Sequence, residues 1–205
     1  MNHPAKRRLT ILGAAFAALA LAGCAPSRLL TQQSNPDYVG KPFSSVMVVA
    51  VTSDELLRRT FEDRIVALLG RRGVKGIPAY AAVGSRGRVE ETQLREAVAR
   101  SNAEGVLLTR VTRVDRSSGT IPGATVAVGV GFYGYYAGVW QTVDLPPEQI
   151  SGPSFTVSET RLFDAKTGML AWTGIVETRK SDGLDAVLTQ YIDVIFDAMV
   201  SDRVL

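Results

Sequence analysis

The chain has 205 residues, 46% of them hydrophobic, with 23 basic and 20 acidic side chains, one histidine and one cysteine. Residues 1–23 hold His3, Lys6, Arg7 and Arg8 and no acid, so the remainder carries 23 − 3 = 20 basic against 20 acidic residues and no histidine. That balance leaves no electrostatic footprint for nucleic acid or an anionic surface; a single cysteine excludes an internal disulfide, and the lack of histidine excludes His/Cys zinc sites and Ser-His-Asp or Cys-His catalysis.

The amino terminus reads as an address. Lys6-Arg7-Arg8 is a basic start, and Ile11–Ala22 is a short apolar run. It is shorter than the about 20 residues a membrane-spanning helix needs, so it reads as a secretory signal. Thr10 stands where a twin-arginine signal wants an apolar residue, which favours general secretion. Leu21-Ala22-Gly23-Cys24 resembles the lipobox of bacterial lipoproteins. That resemblance implies cleavage before Cys24, a thioether-linked diacylglycerol on its sulfur and an acylated (palmitate-bearing) amino terminus. Several chains on one residue suffice for stable anchoring, where one is marginal. Ala25 in place of aspartate implies sorting to the outer membrane, facing the periplasm, or to the cell membrane if there is no outer one.

Residues 24–45 are expected to be the lipidated cysteine and a tether. The stretch "APSRLLTQQSNPDYVGKPFS" has three prolines and little periodicity. Fully extended it would reach roughly 65–70 Å. About 180 residues follow the signal, which suits one domain, placed at 46–205.

The domain opens on "VMVVAV" (46–51), a valine-rich run expected of a strand buried on both faces. Thr52-Ser53-Asp54-Glu55 fits a capping box, and Leu57, Phe61, Ile65 and Leu68 line one helical face. Gly70 and Gly73 close that helix beside Arg71 and Arg72. A short strand, "VKGIPAY" (74–80), is marked as an edge or an end by Pro78. A loop (82–88) and a second helix (90–103) follow, the helix turning Leu94, Ala97, Val98 and Ser101 inward. "GVLLTRVTRVD" (105–115) is a third strand. After an insertion, "SFTVSETRLFD" (154–164) and "MLAWTGIVETR" (169–179) flank Ala165-Lys166-Thr167-Gly168, a hairpin signal in which Asp164 starts the turn and Gly168 takes a positive φ. Asp182 caps a last helix, 183–201, striped by Leu184, Leu188, Tyr191, Ile195 and Met199.

The predicted fold class is therefore α/β (α+β), in the order β-α-β-α-β-(insertion)-β-β-α. It is a mixed sheet with helices packed on it, plus a Gly/Tyr-rich β-arm inserted at 117–152.

Together the lipobox, "VMVVAV", "DELLRRTFEDRIVALLGRRGV", "GVLLTRV" and "ETRLFDAKTGMLAWTG" before an amphipathic helix resemble a broad set of envelope lipoproteins. Their folds are like the amino-terminal domain of the Tol-Pal translocation protein and the curli secretion channel subunit. The resemblance covers about 46–205 apart from the insertion, with Asp164, Gly168, Trp172 and Gly174 as its best-placed letters. It speaks for fold more than for activity.

Gly129-Val130-Gly131-Phe132-Tyr133-Gly134 spells G-x-G-x-x-G. A dinucleotide fingerprint must also open a helix and meet an acid about 20 residues on. "YYAGVWQTVDLPPEQ" shows no helical period, Asp144 is only ten residues on, and the first strand–helix turn, "VTSDE", lacks glycine. Nucleotide binding is excluded on that reading. Between Ala124 and Val143 there is no charge, and Val126, Val128, Val130 and Phe132 alternate with small residues. This predicts an extended β-arm that either pads the domain's own sheet or contacts something else. Phe132, Tyr133, Tyr135, Tyr136 and Trp140 are the candidate contact residues, since uncharged aromatic surface marks interface cores.

The expected function is a non-enzymatic, outer-membrane-anchored binding or assembly module without cofactor, held by lipidated Cys24 and partnered by an envelope protein or a second copy. One alternative is a subunit of an oligomeric envelope channel. The resemblance to the curli pore implies membrane hairpins, and residues 124–133 and 135–143 match the about 9–11 residues of a spanning strand. The other alternative is a glycan-acting enzyme using paired carboxylates. Gly84–Arg88 reads as a charged loop, and Glu90, Glu91, Glu96 and Glu104 as solvated.

Overall fold

The computed structural model describes residues 27–83, 89–112, 131–143, 155–179 and 184–205. Cys24 and the motif residues Leu21, Ala22 and Gly23 lie outside them, as do Asp182, most of the insertion and the Gly84–Arg88 loop.

The elements among the described residues are β1 (Ser27–Ser34), β2 (Ser45–Val51), α1 (Glu55–Arg71), β3 (Lys75–Pro78), α2 (Ala79–Val83) and α3 (Glu91–Ser101). They continue with β4 (Gly105–Thr112), α4 (Phe132–Val143), β5 (Phe155–Asp164), β6 (Leu170–Arg179) and α5 (Leu184–Ser201). Six strands form one mixed sheet in the order β1-β6-β5-β4-β2-β3, with five helices packed on it. β2 is parallel to both β3 and β4, while β4, β5, β6 and β1 are successively antiparallel. The mixed α/β class expected from the strand and helix pattern is the one observed.

β2 is buried along its whole length, and its side chains divide between two cores as the two-residue period requires. Val46, Val48 and Ala50 join Phe61 and Ile65 of α1 and Ile195, Phe196 and Met199 of α5 on one face. Met47, Val49 and Val51 join Leu94, Ala97 and Val98 of α3 and Phe132, Tyr136 and Val139 of α4 on the other. The helix face that spacing predicted for α1 is kept, but its start moves. Asp54 is the N-cap, its carboxylate accepting from the Leu57 N–H at 2.9 Å, and Thr52 Oγ1 accepts from the Asp54 N–H. Aspartate at that place frees Thr52 to close the turn before the helix.

Two further expectations are corrected. Residues 27–34, assigned to the tether, are an edge strand. β1 pairs with β6 from Ser27↔Thr178 to Ser34↔Trp172, and the Asn35 amide extends the contact to Leu170 and Ala171 carbonyls. Residues 27–34 thus belong to the sheet as well as those from 46 on. The arm predicted as β is, over Phe132–Val143, the helix α4. A spanning hairpin over 135–143 is thereby removed; residues 124–130 lie outside the described part. The β5–β6 hairpin holds as expected: Asp164 Oδ1 accepts from the Lys166 and Thr167 N–H groups, and Gly168 has φ +70°.

Candidate functional site

α4 forms because its apolar residues recur at i, i+4 and i+7. Phe132, Tyr136 and Val139 are all buried, and this stripe outweighs the roughly 1 kcal/mol that each interior glycine costs a helix. Phe132 packs on Phe163 with ring centroids 5.3 Å apart, and its N–H donates to the Gly168 carbonyl at 3.0 Å. The helix is thus pinned at its first residue to the β5–β6 turn. Tyr136 donates from its hydroxyl to the Val89 carbonyl at 2.7 Å.

Of the expected contact residues, Phe132 and Tyr136 therefore fill the domain's own core and offer no outer surface. Tyr133 and Tyr135 are half-buried, and Trp140 lies on α4 without a described side chain. Tyr133 lies against the Arg95 guanidinium of α3, 3.7 Å from ring centroid to Cζ. Over residues 132–139, whose burial is described, the exposed positions of the helix are Gly134 and Gly138. One ground for excluding a nucleotide also changes, because the second half of the G-x-G-x-x-G stretch does open a helix. Its first N–H is already taken by Gly168, which is not the free cradle a phosphate needs.

Tyr135 reaches a charge cluster that pattern reading missed. Glu159 accepts from Arg110 Nε at 2.6 Å, from Arg161 Nε at 2.7 Å and from the Tyr135 hydroxyl at 2.7 Å. Arg161 lies 4.0 Å from the Tyr135 ring centroid. Glu159 and Arg161 are buried and Arg110 nearly so. Burial, then the Glu159 charge, push the Tyr135 phenol well above its ordinary value, so it stays a donor. Glu159 and Arg161 are two apart on β5, hence on one face, and β4 sets Arg110 opposite Glu159. The sequence signal was there as charged residues in register on neighbouring strands, but it needs the register to be seen. The arrangement holds structure together; one carboxylate between two guanidiniums is fully engaged and offers no free base.

A second buried carboxylate lies at the place where a doubly wound sheet holds ligands. The chain crosses from β2 through α1 to β3 on one side of β2, then through α2 and α3 to β4 on the other. The crevice beyond the carboxyl end of β2 is therefore a topological switch point. Glu62 of α1 is fully buried there. Its two oxygens accept from the Ala50 N–H at 3.0 Å and the Tyr80 N–H at 2.9 Å. Burial raises its carboxyl to about 7, although these amides and Arg58 pull the other way. The space left between Arg58, Glu62, Tyr80, Leu94 and Tyr136 is about 10 Å³, at the lower limit for a single water. The inserted helix has plugged the crevice with Tyr136. A raised carboxyl in a crevice would be a candidate general acid; among the described residues the space beside this one is about that of a single water.

Glu90, Glu91, Glu96 and Glu104 lie at the surface, Glu91 partly covered. Glu91 and Glu96 make exposed i,i+4 pairs with Arg95 and Arg100, and Glu104 accepts from the Ser44 N–H and hydroxyl. No His/Cys/Asp/Glu group able to hold a metal occurs among the described residues.

No protein-family profile and no curated protein matches the chain. Among solved structures it is similar to a leucine-to-methionine variant of the PelC dodecamer from Paraburkholderia phytofirmans, at 14% identity over 84% of this chain and 96% of that one, with a TM-score of 0.49. It is also similar to lipoprotein GNA1162 from Neisseria meningitidis, at 14% identity over 77% and 96%, TM-score 0.41. A third likeness is to protein XCC0632 from Xanthomonas campestris, at 9% identity over 83% and 87%, TM-score 0.32. At these scores the likenesses give this chain no function, and they do not speak for the Tol-Pal or curli resemblance in particular.

Proposed function

We propose that the chain is a non-enzymatic, lipid-anchored module of the bacterial envelope that binds or assembles a protein partner. The observation that carries the non-enzymatic part is the switch-point crevice, plugged by Tyr136 until about 10 Å³ remains beside Glu62. The anchor rests on Leu21-Ala22-Gly23-Cys24, and Ala25 supports an outer-membrane, periplasm-facing location. With Phe132 and Tyr136 turned inward, the contact surface passes to the outer side of α4 around Gly134 and Gly138, rimmed by Tyr133 and Tyr135. No nucleotide, metal or cofactor enters this reading. A partner protein or a second copy fits it equally.

Metabolic labelling with an alkyne fatty acid, followed by membrane fractionation, tests the anchor. The native chain is expected to be labelled and to sediment with outer membrane, while Cys24→Ser loses the label and becomes soluble in the periplasm. A native chain without label would defeat the anchored reading.

A further inference from the structure

Resting on that reading of Cys24, we propose that one end of the sheet is a bilayer-docking surface. It is the end formed by the carboxyl ends of β2, β4 and β6, the amino end of β1 and the first turn of α1. Its partner is the phospholipid surface in which Cys24 is anchored.

The length of the leash carries the inference. Only Ala25 and Pro26 separate Cys24 from Ser27, so the span from Cys24 to Ser27 is at most about 10 Å. Ser27 is not loose. It is buried, its hydroxyl donates to Thr178 Oγ1 at 3.1 Å, and its strand runs in register along β6 to Trp172. β1, at eight residues, is about 27 Å long. A leash of that length cannot bring the far end of the sheet to the membrane while β1 stays paired.

The register identifies the near end. Ser27 faces Thr178, Arg179 faces Phe155, Val157 faces Thr112, and Arg110 faces Val51. α1 begins four residues beyond Val51, behind its cap at Asp54.

Two orientations fit so short a leash: the domain standing on this end, or lying on the β1 edge. The side chains favour the end. The β1 edge exposes Arg28, Thr31, Gln33 and Ser34 together with a row of unpaired backbone groups, and such groups are costly against hydrocarbon. Among the described residues the end exposes Leu56, 74% open to solvent on the first turn of α1. The other large exposed apolar side chains among the described residues, Val39 and Met169, belong to the opposite end, in the β1–β2 connection and the β5–β6 turn. Leu56 lies on the helix following β2, four strands away from β1, so the two orientations place it at different depths.

Depth-dependent quenching separates them. Cys24 is the chain's one cysteine, and acylation blocks its thiol, so an introduced cysteine is the single free thiol. Leu56→Cys, Gln33→Cys and Val39→Cys, all at open positions, are each made in the full lipidated protein and labelled with an environment-sensitive fluorophore. They are reconstituted into phosphatidylethanolamine/phosphatidylglycerol vesicles carrying nitroxide lipid. Quenching several-fold stronger at position 56 than at 33 and 39 is expected. Strongest quenching at 33 means the edge lies down, and equal weak quenching at all three means β1 has peeled away to lengthen the leash; either overturns the proposal. Acylation is verified by mass in the same samples, so an unlipidated Cys24 counts against the anchor and is told apart from a lipidated domain standing otherwise.

Discussion

Glu159→Ala, in a Cys24→Ser background, is expected to lower unfolding free energy by about 3–5 kcal/mol, the range for removing one partner of a buried ion pair. The cost comes from what is left behind. Arg110 and Arg161 would remain buried on one face of β4–β5 with no carboxylate between them, and the Tyr135 hydroxyl would lose its acceptor. Tyr135→Phe removes one bond to that carboxylate and should cost about 1 kcal/mol, somewhat more for a charged acceptor. Replacing the ions together by apolar residues of like volume, Arg110→Leu with Glu159→Leu and Arg161→Met, should recover most of the loss. Urea denaturation followed by tryptophan fluorescence measures all three. If Glu159→Ala costs no more than Tyr135→Phe, the cluster is solvated and the structural role assigned to it is wrong.

The second large effect is expected on the other face, at Trp172 and Gly174. Trp172 is completely buried in the α1/α5 core, and its indole N–H donates to Asp202 Oδ2 at 2.7 Å. Asp202 also accepts from Gln32 of β1, so the ring ties β6, β1 and the end of α5 together. Gly174 lies two residues on, on the same face, and a Cβ there would overlap the Trp172 ring. Trp172→Ala is expected to cost about 3–5 kcal/mol through the cavity it leaves. Gly174→Val forces the ring off its bed, an overpacking cost of about 1–3 kcal/mol before the lost Asp202 bond is counted. Combining them should cost less than the sum, because without the indole the valine has room. Additive losses by the same denaturation series would mean that Gly174 serves the backbone and not the ring.

These cases show what the sequence made legible. Strands buried on both faces, such as β2, and helices with a full stripe, such as α1 and α5, declare themselves by period. So did the Asp164–Gly168 turn, whose chemistry is local. β1 did not, because main-chain pairing to β6 holds it. Its side chains, Ser27, Gln32 and the prolines flanking it, look like those of a linker. α4 was hidden by its glycines. Phe132, Tyr136 and Val139 have helical spacing, yet the alternation running into Phe132 suggested a strand; packing against Phe163 and Leu94 then decided against local propensity. The charged cluster was hidden for a different reason. Residues 110, 159 and 161 meet only once β4 and β5 are in register, and no single segment contains that information.

A protein partner, under the proposed function, sits at the outer side of α4. Photo-cross-linking in cells from position 138 is the direct measurement. Gly138 is exposed and a Cβ built there meets no atom within 4 Å, so a photoreactive residue can replace Gly138 in the full chain carrying Cys24 without a clash at its first side-chain atom. A discrete adduct is predicted, either a foreign band or a ladder of self-adducts, and it should disappear when Cys24→Ser releases the protein from the membrane. A folded, membrane-held protein that gives no adduct at 138 would contradict it, and α4 would then be a plug for the domain's own crevice and nothing more.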